Sequence, residues 1–373
     1  MHFEDVIGQT EVKQRLLRLC AEHRMPHALL FAGPEGCGKL PVALALAQNM
    51  LCRNPNADGT ACGCCRGCKM VMHWAHPDLH FVFPIVKSES SATSASFLSE
   101  WRKRLQESPY FSLQDWFADL NMENKQALIP VAEAEGLVTE LAKVTNQGGF
   151  RVIVIWQADL MNEPMSNKIL KILEEPPSKT VFMLISEHPE RLLPTIRSRT
   201  QRIDFPPLGV EEMTEALVRL HGLEGEDAQQ VARAAAGNYI KARAEVTFRD
   251  TNSVFFELFV SLMQNAFLNK VKELHRWAEQ VAGWNRERQK ALLEYMQRFV
   301  RENFIYNFQL PELNYMSRRE EGFAKNFARF VNERNVKLFM EEISSAQRDV
   351  EQNVNARMVF FTFALKMHAL LKK

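Results

Sequence analysis

The chain has 373 residues, 46% of them hydrophobic and 24% charged, an ordinary globular composition that argues against disorder and leaves room for two or three domains. Its 46 Lys+Arg against 45 Asp+Glu give a net charge of +1, which excludes the broad basic field of an autonomous nucleic-acid binder. No apolar run approaches the roughly 20 residues of a spanning helix, and the opening MHFEDVIGQT lacks a basic-then-apolar leader, so a cytoplasmic protein without membrane contact is expected.

The first apolar run, ALLFAG at 28–33, leads into GPEGCGKL at 33–40 and then into the helical pattern LPVALALAQNML. Strand, glycine-rich loop and helix is the order in which backbone amides cradle a polyphosphate at a helix N-terminus. Gly33, Gly36, Gly38 and Lys39 fit that loop, and Pro41 is tolerated in the first helical turn. Leu40, however, stands where a Ser or Thr hydroxyl holds Mg²⁺, so no magnesium site is expected. Lys39 and the loop amides keep the means to hold phosphate, and the sequence leaves open whether ATP still binds.

The next stretch, CRNPNADGTACGCCRGC at 52–68, offers Cys52, Cys62, Cys65 and Cys68 as C-x₉-C-x₂-C-x₂-C, with Cys64 to spare. Four soft thiolates suit tetrahedral Zn²⁺, and a closed sulfur shell makes the site structural. An iron–sulfur cluster and a redox thiol pair are the competing readings. Cys20 and Cys37 look incidental, and His73, His76 and His80 read as surface or packing histidines beside four available cysteines.

A second strand is expected at LHFVFP (79–84). Residues 86–128, a Ser-rich lead followed by an aromatic-rich segment, then read as a surface insertion whose aromatics pack locally. RVIVIW (151–156), TVFMLIS (180–186) and QRIDF (201–205) complete the series, and their continuous apolarity suits strands of a parallel sheet buried on both faces. The carboxylates that orient Mg²⁺ and the attacking water belong just after RVIVIW. Trp156 and Gln157 occupy those places, and Asp159 lies three residues beyond the apolar run. With Leu40 that makes three defects in one small site, so hydrolysis is expected to be negligible.

This α/β region ends near Pro206-Pro207, giving a first domain of 1–207. Residues 208–250 show short amphipathic helices broken by glycines and read as a small helical lid. From 251 to 373 the apolar spacing stays helical, as expected of an all-helical domain.

Several stretches together carry a family resemblance: DVIGQ (5–9), MPHALLFAGPEGCGK, LKILEEPPSKTVFMLIS with HPERLLPTIRSRTQ after it, and AQRDVEQNVNARMVFF. The chain resembles bacterial DNA polymerase III clamp-loader subunits, in particular the delta-prime subunits, across most of its length outside 86–128 and most specifically over 161–203. The resemblance implies a P-loop (AAA+, RecA-like) α/β domain with an inserted zinc module, a small helical lid domain and a C-terminal all-α domain that joins an oligomeric collar. It implies a subunit without its own ATPase or polymerase activity, although it belongs to a DNA polymerase holoenzyme. Its partners would be the gamma/tau ATPase and delta subunits, the sliding clamp and, through the complex, primer-template DNA.

In that family the arginine of a Ser-Arg-Cys motif reaches into the neighbour's nucleotide site. Ser198-Arg199-Thr200 keeps the arginine and loses the cysteine, which implies that Arg199 acts in trans on charge spreading over the partner's γ-phosphate. The alternative is that Arg197 and Arg199 are plain helix-end cations. Ser186 matches the small polar residue that senses the γ-phosphate in active relatives, and Lys241 and Arg243 lie near a lid arginine without a role assigned. Two other functions stay in view: an active gamma/tau-like ATPase motor, and a stand-alone zinc-containing nucleic-acid-binding protein.

Overall fold

The structure is a computed structural model that describes residues 1–57, 59–86, 93–122, 127–141, 149–309 and 316–372, without the side chains of 250 and 318. The chain falls into two compact units, Met1–Val246 and Thr247–Lys373.

The expected strands form at β1 (Ala28–Ala32), β2 (Leu79–Val82), β5 (Arg151–Ile155), β6 (Thr180–Ser186) and β7 (Gln201–Asp204), with the two-residue β3 (Ile85–Val86) and β4 (Ala127–Leu128) paired separately and antiparallel. The five strands make one parallel sheet in the order β2-β5-β6-β1-β7. Pleating sends alternate residues to opposite faces. Leu29, Phe31, Val152, Val154 and Met183 enter one apolar cluster, while Ala28, Leu30, Ile153, Ile155 and Phe182 enter another. Both faces are covered, which is why the inner strands β1, β5 and β6 are buried along their whole length, while the edge strand β7 exposes Arg202 and Asp204.

Helices α1 (Thr10–Ala21), α2 (Lys39–Met50), α3 (Arg66–Met72), α4 (Leu98–Glu107) and α5 (Leu113–Asp119) contribute to the first cluster. Helices α6 (Ala132–Leu141), α7 (Glu163–Glu174) and α8 (Pro194–Arg199) contribute to the second. The surface placement expected for 86–128 is corrected here. Trp101 on α4 and Trp116 on α5 are both 0% exposed and sit in the sheet-side core, Trp101 stacked on Phe83 at 4.2 Å. An aromatic run buries too much apolar area to stay outside when a sheet face stands beside it. Part of the Ser-rich lead, 87–92, lies outside the described residues, as does 123–126.

Beyond the sheet come α9 (Val210–His221), α10 (Gly225–Ala235) and α11 (Tyr239–Phe267). Met213, Leu217, Val231, Ala235, Tyr239 and Val246 from these helices share a cluster with Ile7, Tyr110 and Leu208. The division between the two units falls inside α11. The second unit continues with α12 (Val271–Ala282), α13 (Arg286–Tyr306), α14 (Arg318–Phe327), α15 (Val336–Glu351) and α16 (Ala356–Leu370) around a core rich in Phe, among them Phe259, Phe299, Phe339 and Phe360. Trp277 donates its indole N–H to the Leu258 carbonyl at 3.0 Å and ties α12 to α11.

Candidate functional site: a phosphate-loop fold and a four-cysteine module

The loop from Gly33 to Gly38 leaves the end of β1 and starts α2, as the motif requires. Gly36 and Gly38 have φ of +71° and +98°, where a Cβ is poorly accommodated. Lys39 is turned back on its own loop: its ammonium donates to the carbonyls of Gly33 at 2.8 Å and Pro34 at 2.5 Å. Leu40 is 5% exposed and belongs to the core cluster. The side chain in the hydroxyl's place has become packing.

Beyond β5 the same conversion has taken place. Trp156 packs against Trp101 at 5.2 Å and Phe111 at 5.0 Å. Gln157, left-handed with φ +54°, donates its amide to Glu187 Oε1 at 2.8 Å. Burial pushes the Glu187 carboxyl up, and Lys39 and the Gln157 amide pull against it. Asp159 is engaged too, accepting the Ser186 hydroxyl at 2.7 Å, while Ser186 itself is fully buried at the end of β6. A magnesium–triphosphate group needs a hydroxyl and strand-end carboxylates aimed at one point; here an amide and a leucine stand in two of those places.

Residues that pattern alone does not single out hold the loop shut. A Cβ at Gly36 would collide with the side-chain oxygen of Asn238, whose amide donates to Glu35 Oε2 at 3.0 Å. The Tyr239 N–H donates to the Gly36 carbonyl at 3.2 Å. Gln9 donates to the carbonyls of Cys37 at 3.0 Å and Pro206 at 2.7 Å. Cys37, read as incidental, is buried with its sulfur 3.8 Å from the Lys39 ammonium. On the Gly33–Glu35 side an open cleft of about 590 Å³ is lined by Glu187, His188, Arg202 and Asp204.

Arg199 ends α8, where its guanidinium donates to the Thr195 carbonyl at 3.1 Å and pairs with Glu174 at 2.7 Å while staying 37% exposed. Ser198 donates to the same Thr195 carbonyl at 3.1 Å. Thr200 is buried and bonds back to the Ile196 carbonyl at 3.1 Å, and Arg197 is exposed. Lys241 is exposed, its backbone N–H donating to Asn238 Oδ1 at 3.1 Å.

The four cysteines singled out by spacing come together. One sulfur from each of Cys52, Cys62, Cys65 and Cys68 lies within 4.8 Å of all the others. Cys52 and Cys62 are 3.6 Å apart and Cys62 and Cys68 4.0 Å, close to the edge of about 3.8 Å that Zn–S bonds near 2.3 Å dictate for a tetrahedron. Backbone N–H groups of Cys62, Cys65 and Cys68 point at the sulfurs of Cys52, Cys62 and Cys65 at 3.3 to 3.4 Å. Such N–H groups favour the thiolate, and those of Cys64 and Cys65 draw the Cys62 thiol down to about 6. The donor set fits a thiophilic tetrahedral ion, and zinc bound there would supply cross-linking rather than reaction chemistry. Cys64 is exposed and outside the quartet, and Cys20 is half-buried. His76 is buried with Nδ1 accepting the Asp78 N–H at 3.1 Å, His73 is exposed, and His80 lies on β2.

A parallel sheet, a strand–glycine-loop–helix unit with Leu40 in the hydroxyl's place and a four-cysteine module after the loop helix define a protein of the phosphate-loop fold. The family model described as DNA polymerase III, delta subunit matches residues 8–209, more than half of the 373, and the chain belongs to that family. Within it the chain is delta-prime-like. It is 31% identical to DNA polymerase III subunit delta' of Bacillus subtilis over 56% of this chain and 51% of that one. To subunit delta' of Pseudomonas aeruginosa it is 32% identical over 57% and 52%. A subunit gamma/tau of Mycobacterium bovis is 30% identical over 60% of this chain and 32% of its own length. The chain spans about half the length of the two delta' relatives it matches. Among the described residues no helix is long and apolar enough to cross a membrane.

Proposed function

We propose that this chain is a non-hydrolysing, delta-prime-like subunit of a cytoplasmic DNA polymerase III clamp loader. It works beside gamma/tau ATPase and delta subunits to place a sliding clamp on primer-template DNA, which it meets through the complex. The observation that carries this reading is the Gln157–Glu187 hydrogen bond at 2.8 Å, an amide where catalysis needs a carboxylate, together with Leu40 buried where Mg²⁺ needs a hydroxyl. Arg199, exposed at a helix end, delivers its guanidinium to the neighbour's ATP; Ser198 and Thr195 shape that helix end. The exposed pairing with Glu174 supports this, since a weak surface ion pair is readily exchanged for a triphosphate. Residues 208–250 act as the lid, 251–373 as the collar domain, and Cys52, Cys62, Cys65 and Cys68 hold a structural zinc ion.

Reconstitution with intact motor subunits tests the reading. Arg199→Ala lowers ATP turnover stimulated by primed DNA by a factor of hundreds or more at the site it serves, as loss of a trans arginine does. Unchanged turnover overturns the assignment, and brisk metal-dependent hydrolysis by the isolated chain overturns the non-hydrolysing reading in favour of an active motor.

A further inference from the structure

Tyr110 lies between α4 and α5, yet alone among the aromatic residues of that segment it leaves the sheet-side cluster. Trp101, Phe111, Trp116 and Phe117 pack beneath the sheet, whereas Tyr110 joins Ile7, Leu208 and the helices after them. Its ring is 6% exposed and meets Tyr239 edge-on at 4.8 Å. Its hydroxyl oxygen accepts the Ile7 backbone N–H at 3.0 Å and lies 3.6 Å from where a Cβ on Gly38 would stand. Loop amides hold the inner phosphates and the lysine the outer ones. A nucleotide seated on 33–40 therefore sends its sugar and base out past Gly38 and the start of α2. What a purine seeks there is a flat apolar slot with a backbone N–H at its edge to meet a ring nitrogen.

We propose that the phenol ring of Tyr110 occupies the slot of a purine base, so that the chain carries an internal plug in a latent site for a purine nucleotide. This deepens the reading of 33–40 as a remnant nucleotide loop and rests on it. The ring fills the slot, its oxygen takes the N–H that a base nitrogen would take, and Tyr239 at the start of α11 closes over it. Binding is thus blocked at the base as well as at the metal.

The full-length chain is titrated with ADP by calorimetry, without added magnesium. The parent is expected to show no heat at millimolar ADP, and Tyr110→Ala, which empties the slot, is expected to bind at least about tenfold more tightly than the parent. Tyr110→Phe keeps the ring and loses only the hydroxyl, so it stays closed to ADP while the Ile7 amide exchanges its hydrogen faster. Equal affinity of the parent and folded Tyr110→Ala, or a gain in Tyr110→Phe as large as that in Tyr110→Ala, overturns the plug. Should Tyr110→Ala not fold, the parent decides: Ile7 amide exchange unchanged by millimolar ADP upholds the plug, and protection by ADP removes it. A parent that binds ADP without hydrolysing ATP would remove the plug while leaving the non-hydrolysing reading intact.

Discussion

Gln157 donates to Glu187 across 2.8 Å at the ends of two neighbouring strands, and this bond partners a half-buried carboxyl beside the loop. Replacing the amide by a carboxylate sets two acids against each other. Burial already pushes Glu187 up, and a second carboxylate raises the pair further. A folded-state pKa above the unfolded one gives stability that is fully present below the unfolded value and lost as pH rises through the folded value. Gln157→Glu is therefore expected to match the parent near pH 4 and to fall behind by about 1–3 kcal/mol at pH 8, in thermal melts run across that range. A deficit independent of pH contradicts the account.

Arg199→Ala should hardly alter the isolated chain. Arg199 and Glu174 are 37% and 48% exposed, and exposed pairs contribute about 0.2–1 kcal/mol. Melting temperatures within a degree or two of the parent are expected, so a loss of partner ATPase in the assembled complex reports on the guanidinium and not on misfolding. Arg199→Lys keeps the charge without the planar fork and is expected to restore little of that activity.

The cysteine module predicts one zinc ion per chain by elemental analysis of metal-loaded protein. Cys62→Ser or Cys68→Ser should abolish retention through gel filtration, whereas Cys64→Ser should retain the ion in full, because Cys64 is exposed and stands outside the quartet. Chelation should speed hydrogen exchange over 52–72 first, since ligand binding and folding are coupled there. Iron with visible charge-transfer absorption in place of zinc would contradict the assignment.

Trp101 tests the corrected place of the α4–α5 segment. It stacks on Phe83 at 4.2 Å and meets Trp116 at 5.1 Å edge-on. Trp101→Ala is expected to cost about 3–5 kcal/mol by urea denaturation followed through the first unit. A cost below 1 kcal/mol would return the segment to the surface.

Where apolar pattern and depth coincide, the sequence foretells the structure closely. All five sheet strands form within two residues of the apolar runs; β1, β5 and β6 are the clearest, because a strand buried on both faces has no polar positions to confuse its reading, whereas the edge strand β7 is exposed at Arg202 and Asp204. The cysteine quartet is legible for a similar reason: ligand spacing is local. The α4–α5 segment misleads because Glu100, Arg102, Lys103 and Glu107 make α4 look solvated while Trp101 and Leu105 face inward. The partners that close the loop are 28, 72 and 202 positions away in Gln9 with Cys37, Tyr110 with Gly38 and Asn238 with Gly36, and nothing in a local pattern announces such pairings.

Gly67 in α3 stands so near the last turn of α2 that a Cβ there would lie 2.5 Å from the Leu51 carbonyl oxygen. Helix α2 begins at Lys39, so the cysteine module is seated on the far end of the same rod whose near end carries the loop. Even a methyl group at position 67 would lever the sulfur quartet off its footing. The smallest side chain in the module thereby governs how firmly an ion held by the four sulfurs would steady the rod.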